Sequence, residues 1–120
     1  MVSLVVLALP AAAAEAPKVL HVLAVKVKGD PTPYLQRVQQ LSAIQQRLDT
    51  GGTMRVWRAT VAGQSVGTIY IGIEYPNLEA YAQATTKLQA DEEWAKAMKD
   101  LEASGLRQVL SNSLLVEITP

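Results

Sequence analysis

The stretch Thr68-Ile69-Tyr70-Ile71-Gly72-Ile73-Glu74-Tyr75-Pro76-Asn77-Leu78-Glu79-Ala80-Tyr81 decides the fold. Ile69, Ile71, Ile73 and Tyr75 recur at a period of two, which is the signature of a strand with one face under a core, while Thr68, Tyr70, Gly72 and Glu74 point the other way. Pro76 and Asn77 then stop the strand, and Asn77 is placed to cap a helix in which Leu78, Tyr81, Ala82, Thr85 and Leu88 return at helical spacing. A strand delivered directly into an amphipathic helix is half of a β-α-β unit, so the flanking sequence should supply the rest.

Upstream, Val19 to Lys28 reads as a first strand: Val19, His21, Leu23, Val25 and Val27 share one face, and Leu20, Val22, Ala24, Lys26 and Lys28 the other. Asp30 stands where a cap belongs and Pro31 at the first helical position, ahead of the stripe Leu35, Val38, Leu41, Ile44 and Leu48. Gly51 and Gly52 end that helix. A second strand follows from about Met54 to Val61, and a short connection, Ala62 to Ser65, leads into the third strand, Val66 to Tyr75. Beyond the Asn77 helix a bend is expected near Ala90, because Asp91 can cap a new segment. Glu92 and Glu93 sit in its favourable first turn, and Trp94, Ala97, Met98 and Leu101 face inward. Gly105 ends it, and Val109 to Thr119 reads as the last strand, with Leu110, Asn112, Leu114, Val116 and Ile118 alternating with Ser111, Ser113, Leu115 and Glu117.

The order is therefore β-α-β-β-α-β, an α+β ferredoxin-like arrangement with both helical segments on one side of a four-stranded antiparallel sheet. Its strands carry apolar residues on both faces. One face is left without a cover, and a second copy of the chain is the simplest partner, since exposed apolar patches beyond a few hundred Å² are uncommon on soluble monomers. The patch expected there contains Leu20, Val22, Leu110 and Leu114 or their alternating neighbours.

Composition narrows the function classes. The 120 residues suit one domain, spanning residues 19–120, and 11 basic side chains balance 11 acidic ones with no basic block, which removes the electrostatic footprint of a nucleic-acid binder. With no cysteine there is no disulfide, thiolate nucleophile or cysteine-ligated metal. The segment 1–14 has an apolar run broken by Pro10 and followed by Ala11 to Ala14, the pattern of a secretory signal, with cleavage expected after Ala14 and a short linker at 15–18. It is too short to span a bilayer before Glu15, Pro17 and Lys18, so a periplasmic or secreted protein without stable membrane insertion is expected.

Chemistry-bearing residues are few. His21 is the single histidine, too few for a multi-histidine metal site; it reads either as a partly buried structural residue or as a general base or haem ligand. Lys26, Tyr70 and Glu74, with Thr68 nearby, share the sheet face away from the helices. They either bind a polar ligand and move a proton, or form an ion pair at a dimer interface. Trp57 and Arg58 suit a flat apolar body and an anionic group respectively, or else Trp57 belongs to core or interface with Arg55 and Arg58 at its rim. Asn112, Tyr81 and Trp94 read first as packing residues, and Asp91, Glu92 and Glu93 as helix-start chemistry. No phosphate loop is formed by Gly51 and Gly52. No metal and no cofactor is implied.

The two β-α-β halves, the long first amphipathic helix, the stretch Ile73-Glu74-Tyr75-Pro76-Asn77-Leu78-Glu79-Ala80-Tyr81 and the run Asp91-Glu92-Glu93-Trp94 resemble the dimeric α/β-barrel superfamily, especially its NIPSNAP-like and antibiotic-biosynthesis-monooxygenase-like members. The resemblance covers residues 19–120. It implies a homodimer of face-to-face sheets and a pocket between sheet and helices or in the barrel interior. Members range from cofactor-free monooxygenases, haem-degrading enzymes and cyclases to proteins without a known role. This chain lacks a haem-pocket motif. Three functions remain compatible: a small-molecule-binding protein, a cofactor-independent enzyme acting on a small aromatic or apolar substrate with Tyr70, Glu74 and His21 as candidate catalytic groups, and a structural or protein-interaction dimer.

Overall fold

A computed structural model describes residues 16–118 apart from 62, 64 and 65. The expected signal segment and much of the expected 62–65 turn lie outside the described residues. In chain order the elements are β1 (Val19–Val27), α1 (Thr32–Arg47), β2 (Thr53–Arg58), β3 (Ile69–Tyr75), α2 (Leu78–Gln89), α3 (Glu92–Ser104) and β4 (Arg107–Val116). They build one antiparallel four-stranded sheet in the order β2-β3-β1-β4, with the three helices over one face. This is the α+β ferredoxin-like fold, with its second helical segment split in two.

The split has the cause read from the sequence. Asn77 accepts a hydrogen bond from the Ala80 N–H at the start of α2, and Asp91 accepts one from the Trp94 N–H at the start of α3, so each side chain satisfies a donor that the helix itself leaves free. Gly105 closes α3 in the left-handed region, φ 66°, where a Cβ would be strained. At α1 the cap sits one residue early: Asp30 Oδ1 accepts from the Thr32 N–H, while the Pro31 carbonyl takes the first helical bond from Leu35. Arg47, at the end of α1, donates to Asp91 and Glu93, tying α1 to the start of α3.

The pairings fix which side chain goes where. Leu23 lies opposite Ile71 and His21 opposite Ile73, so the odd residues of β1 and β3 face the helices. There Val25, Ile69 and Ile71 pack with Tyr34, Val38, Leu41 and Ile44 of α1 and with Ala97 and Leu101 of α3. A smaller cluster joins Val19, Ile73 and Tyr75 to Ala84 of α2.

Strand β4 departs from the simple alternation. Its pairing with β1 slips between Ala24 and Val25, so Ala24 faces Ser111 and Val25 faces Val109, with Leu110 as the extra residue of a bulge. Before the bulge Arg107 and Val109 share the helix side; after it Asn112, Leu114 and Val116 do. The open face therefore carries Leu115, opposite Leu20, where strict alternation from Leu110 places Leu114 on the same face as Leu110.

Candidate functional site

The parity switch in β4 brings two polar side chains under the helices. Leu23 pairs with Asn112 and Val27 with Arg107, so both project toward the side occupied by α1 and α3. Between sheet and helices lies a cavity of about 350 Å³. Its walls are mainly Leu23, Val38, Leu41, Ile71, Met98 and Trp94, and its polar groups are His21, Asn112, Tyr34, Glu102 and Arg107. Apolar walls with a few convergent polar groups are the usual make-up of a small-molecule site, and the volume is at the small end of the ~300–1,000 Å³ range of such sites.

The polar groups fall into two sets. His21 Nε2 and Asn112 Oδ1 are hydrogen-bonded across the sheet, which makes Nε2 the donor and leaves the other ring nitrogen for a second partner. The His21 ring also meets Tyr81 edge-on at 5.9 Å, and Tyr81 meets Tyr75 in the same way at 5.5 Å. The second set gathers around Arg107. Its Nη2 donates to Glu102 Oε1 at 3.0 Å, its Nη1 to the buried Tyr34 hydroxyl at 3.4 Å, and the guanidinium carbon lies 5.9 Å from the centre of the Tyr34 ring.

An adjoining cavity of about 210 Å³ shares His21, Ile73 and Trp94 with the first and is otherwise lined by Gln45, Tyr75, Tyr81, Thr85, Leu88 and Gln89. Burial pushes the Tyr75 phenol above its ordinary pKa, with Tyr81 adding to the effect. Among the described residues, no group of three His, Cys, Asp or Glu is close enough to hold a metal ion.

Of the residues singled out in the sequence, His21, Asn112 and Trp94 meet at these cavities and Tyr81 borders the second. The others do not. Tyr70 and Glu74 lie on the open face, opposite Ala24 and Leu20. Lys26 is six residues beyond Leu20 on β1, which separates it from the Glu74 row by ~20 Å at about 3.3 Å per residue. One chain therefore cannot bring Lys26 and Glu74 into one site. Trp57 is opposite Tyr70 on the open face, whereas Arg58 is opposite Ile69 on the helix side and exposed, so these two also point apart. Thr68 is buried, and its carbonyl accepts from the Ala59 N–H.

Arg107, Tyr34 and Glu102 escaped the sequence reading. The signal was present: Arg107 follows the Gly105 helix stop and alternates with Val109, but a last strand begun at Val109 cuts it off. Tyr34 is one turn into α1 and belongs to no obvious stripe with a charged partner 73 residues away.

Comparison with solved structures agrees with this architecture. SnoaB, a cofactor-independent oxygenase from Streptomyces nogalater, superposes with a TM-score of 0.62 at 18% identity, over 88% of this chain and 97% of its own. A NIPSNAP family protein with unknown function from Agrobacterium tumefaciens gives 0.62 at 16% identity, covering 87% of this chain and 90% of that one. A second NIPSNAP family protein from the same bacterium gives 0.61 at 14% identity, with 86% and 93% covered. The chain has the ferredoxin-like fold of these proteins. No protein-family model and no curated protein matches the sequence. The NIPSNAP-like and antibiotic-biosynthesis-monooxygenase-like resemblance thus holds at the level of the fold.

Proposed function

We propose that the protein is an exported homodimer that binds a small, largely apolar molecule in the cavity between sheet and helices. The observation that carries this reading is the 350 Å³ space itself, apolar in its walls and provided with His21, Asn112 and Arg107 at its edge. Native interiors are close-packed, and a void of this size in a small domain is a cost to stability unless something occupies it. The test is a thermal-shift screen of small aromatic and aliphatic compounds against the protein and Leu23→Trp, which places an indole inside the cavity from the centre of β1. A ligand at 100 times its Kd stabilises by about 2.7 kcal/mol. Compounds that raise the Tm of the parent and not of the variant support the site; compounds that act equally on both place binding elsewhere.

A second reading, a cofactor-independent enzyme, is favoured by the His21–Asn112 pair. A histidine whose Nε2 is engaged by an amide is held in orientation, with Nδ1 able to accept a proton from an acidic C–H or phenol. SnoaB is an oxygenase without cofactor on the same fold. Oxygen uptake with hydroquinone or phenol ligands that His21→Phe abolishes, with ligand affinity retained, selects this reading.

The dimer is proposed on the open face. Leu20, Val22, Trp57, Tyr70 and Leu115 occupy neighbouring positions there, and Trp57 and Leu115 are 47% and 52% exposed. Four strands about 4.8 Å apart and seven residues long make a face of roughly 19 by 23 Å, an apolar area that two-fold pairing would cover. Export rests on the pattern in residues 1–14. N-terminal sequencing of the protein from its own host should begin at Glu15; an intact Met1 rejects export.

A further inference from the structure

A buried guanidinium keeps its charge and has five N–H donors to satisfy. The Arg107 side chain is 8% exposed and lines the larger cavity, yet its hydrogen bonding is incomplete. Nη1 reaches the Tyr34 hydroxyl only at 3.4 Å, Nη2 is held by Glu102, and Nε is buried with no partner. Glu102 is itself 66% exposed and takes the guanidinium at one nitrogen, from the water side. Carboxylates prefer to take two nitrogens of the fork at once, and that arrangement is unfilled here.

The adjoining cavity repeats the pattern. Gln45 is buried, and its Nε2 is the other buried side-chain nitrogen without a partner among the described residues. The amide is oriented by Thr50, whose hydroxyl accepts from the Gly52 N–H and donates to Gln45 Oε1, leaving Nε2 unpaired. Both unpaired groups are donors, and each lines one of two cavities that share His21 and Trp94. The occupant must bring acceptors.

We infer that the cavity takes an organic monocarboxylate with an apolar body. Its carboxylate docks on the Nε and Nη nitrogens of Arg107 in exchange for Glu102, which swings into water, and its body lies among Leu23, Val38, Ile71 and Met98. The exchange of one carboxylate for another keeps the guanidinium charge matched, which a neutral ligand cannot do. This rests on the cavity being a ligand site and names the class of ligand it selects.

The test is titration calorimetry with 4-tert-butylbenzoate and its neutral amide, 4-tert-butylbenzamide, on the parent, Arg107→Met and Glu102→Gln. The expected result is benzoate binding about tenfold tighter than benzamide, with Arg107→Met removing that difference and leaving benzamide within about twofold. Glu102→Gln, at an exposed position, should tighten benzoate by about threefold or more and leave benzamide alone, since it removes the competing charge. That variant carries the test if Arg107→Met does not fold: unchanged or weaker benzoate binding overturns the exchange. Equal affinities for the two probes overturn the carboxylate preference while leaving the cavity as a site. Failure of both to bind at millimolar concentration overturns the cavity reading and this inference with it.

Discussion

Replacing Arg107 by Met separates a ligand anchor from a structural arginine, because the two roles predict stability changes of different size. Met keeps the apolar stem that packs beside Tyr34 and removes the guanidinium. The losses are a long hydrogen bond to the Tyr34 hydroxyl, ~0.5–1.5 kcal/mol, and a pairing with the largely exposed Glu102, ~0.2–1 kcal/mol. The gain is the disappearance of a buried, unpartnered Nε–H, ~1–3 kcal/mol. The sum lies near zero, within about 1.5 kcal/mol of the parent on the unfavourable side. Glu102 is left facing water, so no charge is stranded inside. Adding Tyr34→Phe removes the hydroxyl that Arg107 abandons and should make the double variant at least as stable as Arg107→Met. Urea unfolding followed by circular dichroism, at one protein concentration and with m compared between variants, measures this. A loss above about 3 kcal/mol at unchanged m, the range for breaking a buried ion pair, would refute the reasoning and assign Arg107 to the fold.

Other perturbations test separate parts of the structure. A Cβ on Gly72 would come 2.6 Å from Trp57 Cζ3 and 3.4 Å from Leu20 Cδ1, so Gly72→Ala should push the exposed indole off the open face, keep the monomer folded and weaken self-association in sedimentation velocity. Asn77→Ala deletes the α2 cap and should cost about 1 kcal/mol, a drop of roughly 4–8 °C in Tm. Asp91 is held below the usual carboxylate range by Arg47 and by the Trp94 N–H. A depressed carboxyl stabilises the fold at any pH above its unfolded value, ~3.9, and that contribution fades as pH falls through the lower folded value. Thermal melts from pH 6 down to pH 2 should therefore show an acid-side loss that Asp91→Asn, which keeps the cap and drops the charge, lacks in part.

The fold was legible where the physics is local. Ile69 to Tyr75 state their own periodicity, Asn77 and Asp91 each cap a helix within three residues of their own position, and these features place the chain break near Ala90. The cavity was less legible because its polar groups meet across the sheet. His21 and Asn112 are 91 residues apart, and nothing in either neighbourhood indicates the other. The β4 bulge adds a second obstacle. A period of two groups Leu110 with Asn112 and Leu114, whereas the extra residue at Leu110 puts Arg107 and Val109 on the same side as Asn112. Lys26, Tyr70 and Glu74 show the converse: sharing a face is visible in sequence, and distance along a strand decides whether residues on that face can meet.

The two tryptophans divide the molecule, Trp94 at the cavity and Trp57 on the open sheet face, so fluorescence of Trp57→Phe and Trp94→Phe reports each site alone. Titrating both variants with 4-tert-butylbenzoate, then diluting both from micromolar to nanomolar concentration, tests the central claim most directly. The expected result is that ligand alters Trp94 emission and leaves Trp57 unchanged, while dilution shifts Trp57 to the red and leaves Trp94 unchanged. Ligand acting on Trp57 with Trp94 silent would contradict the claim that the helix-side cavity is the binding site.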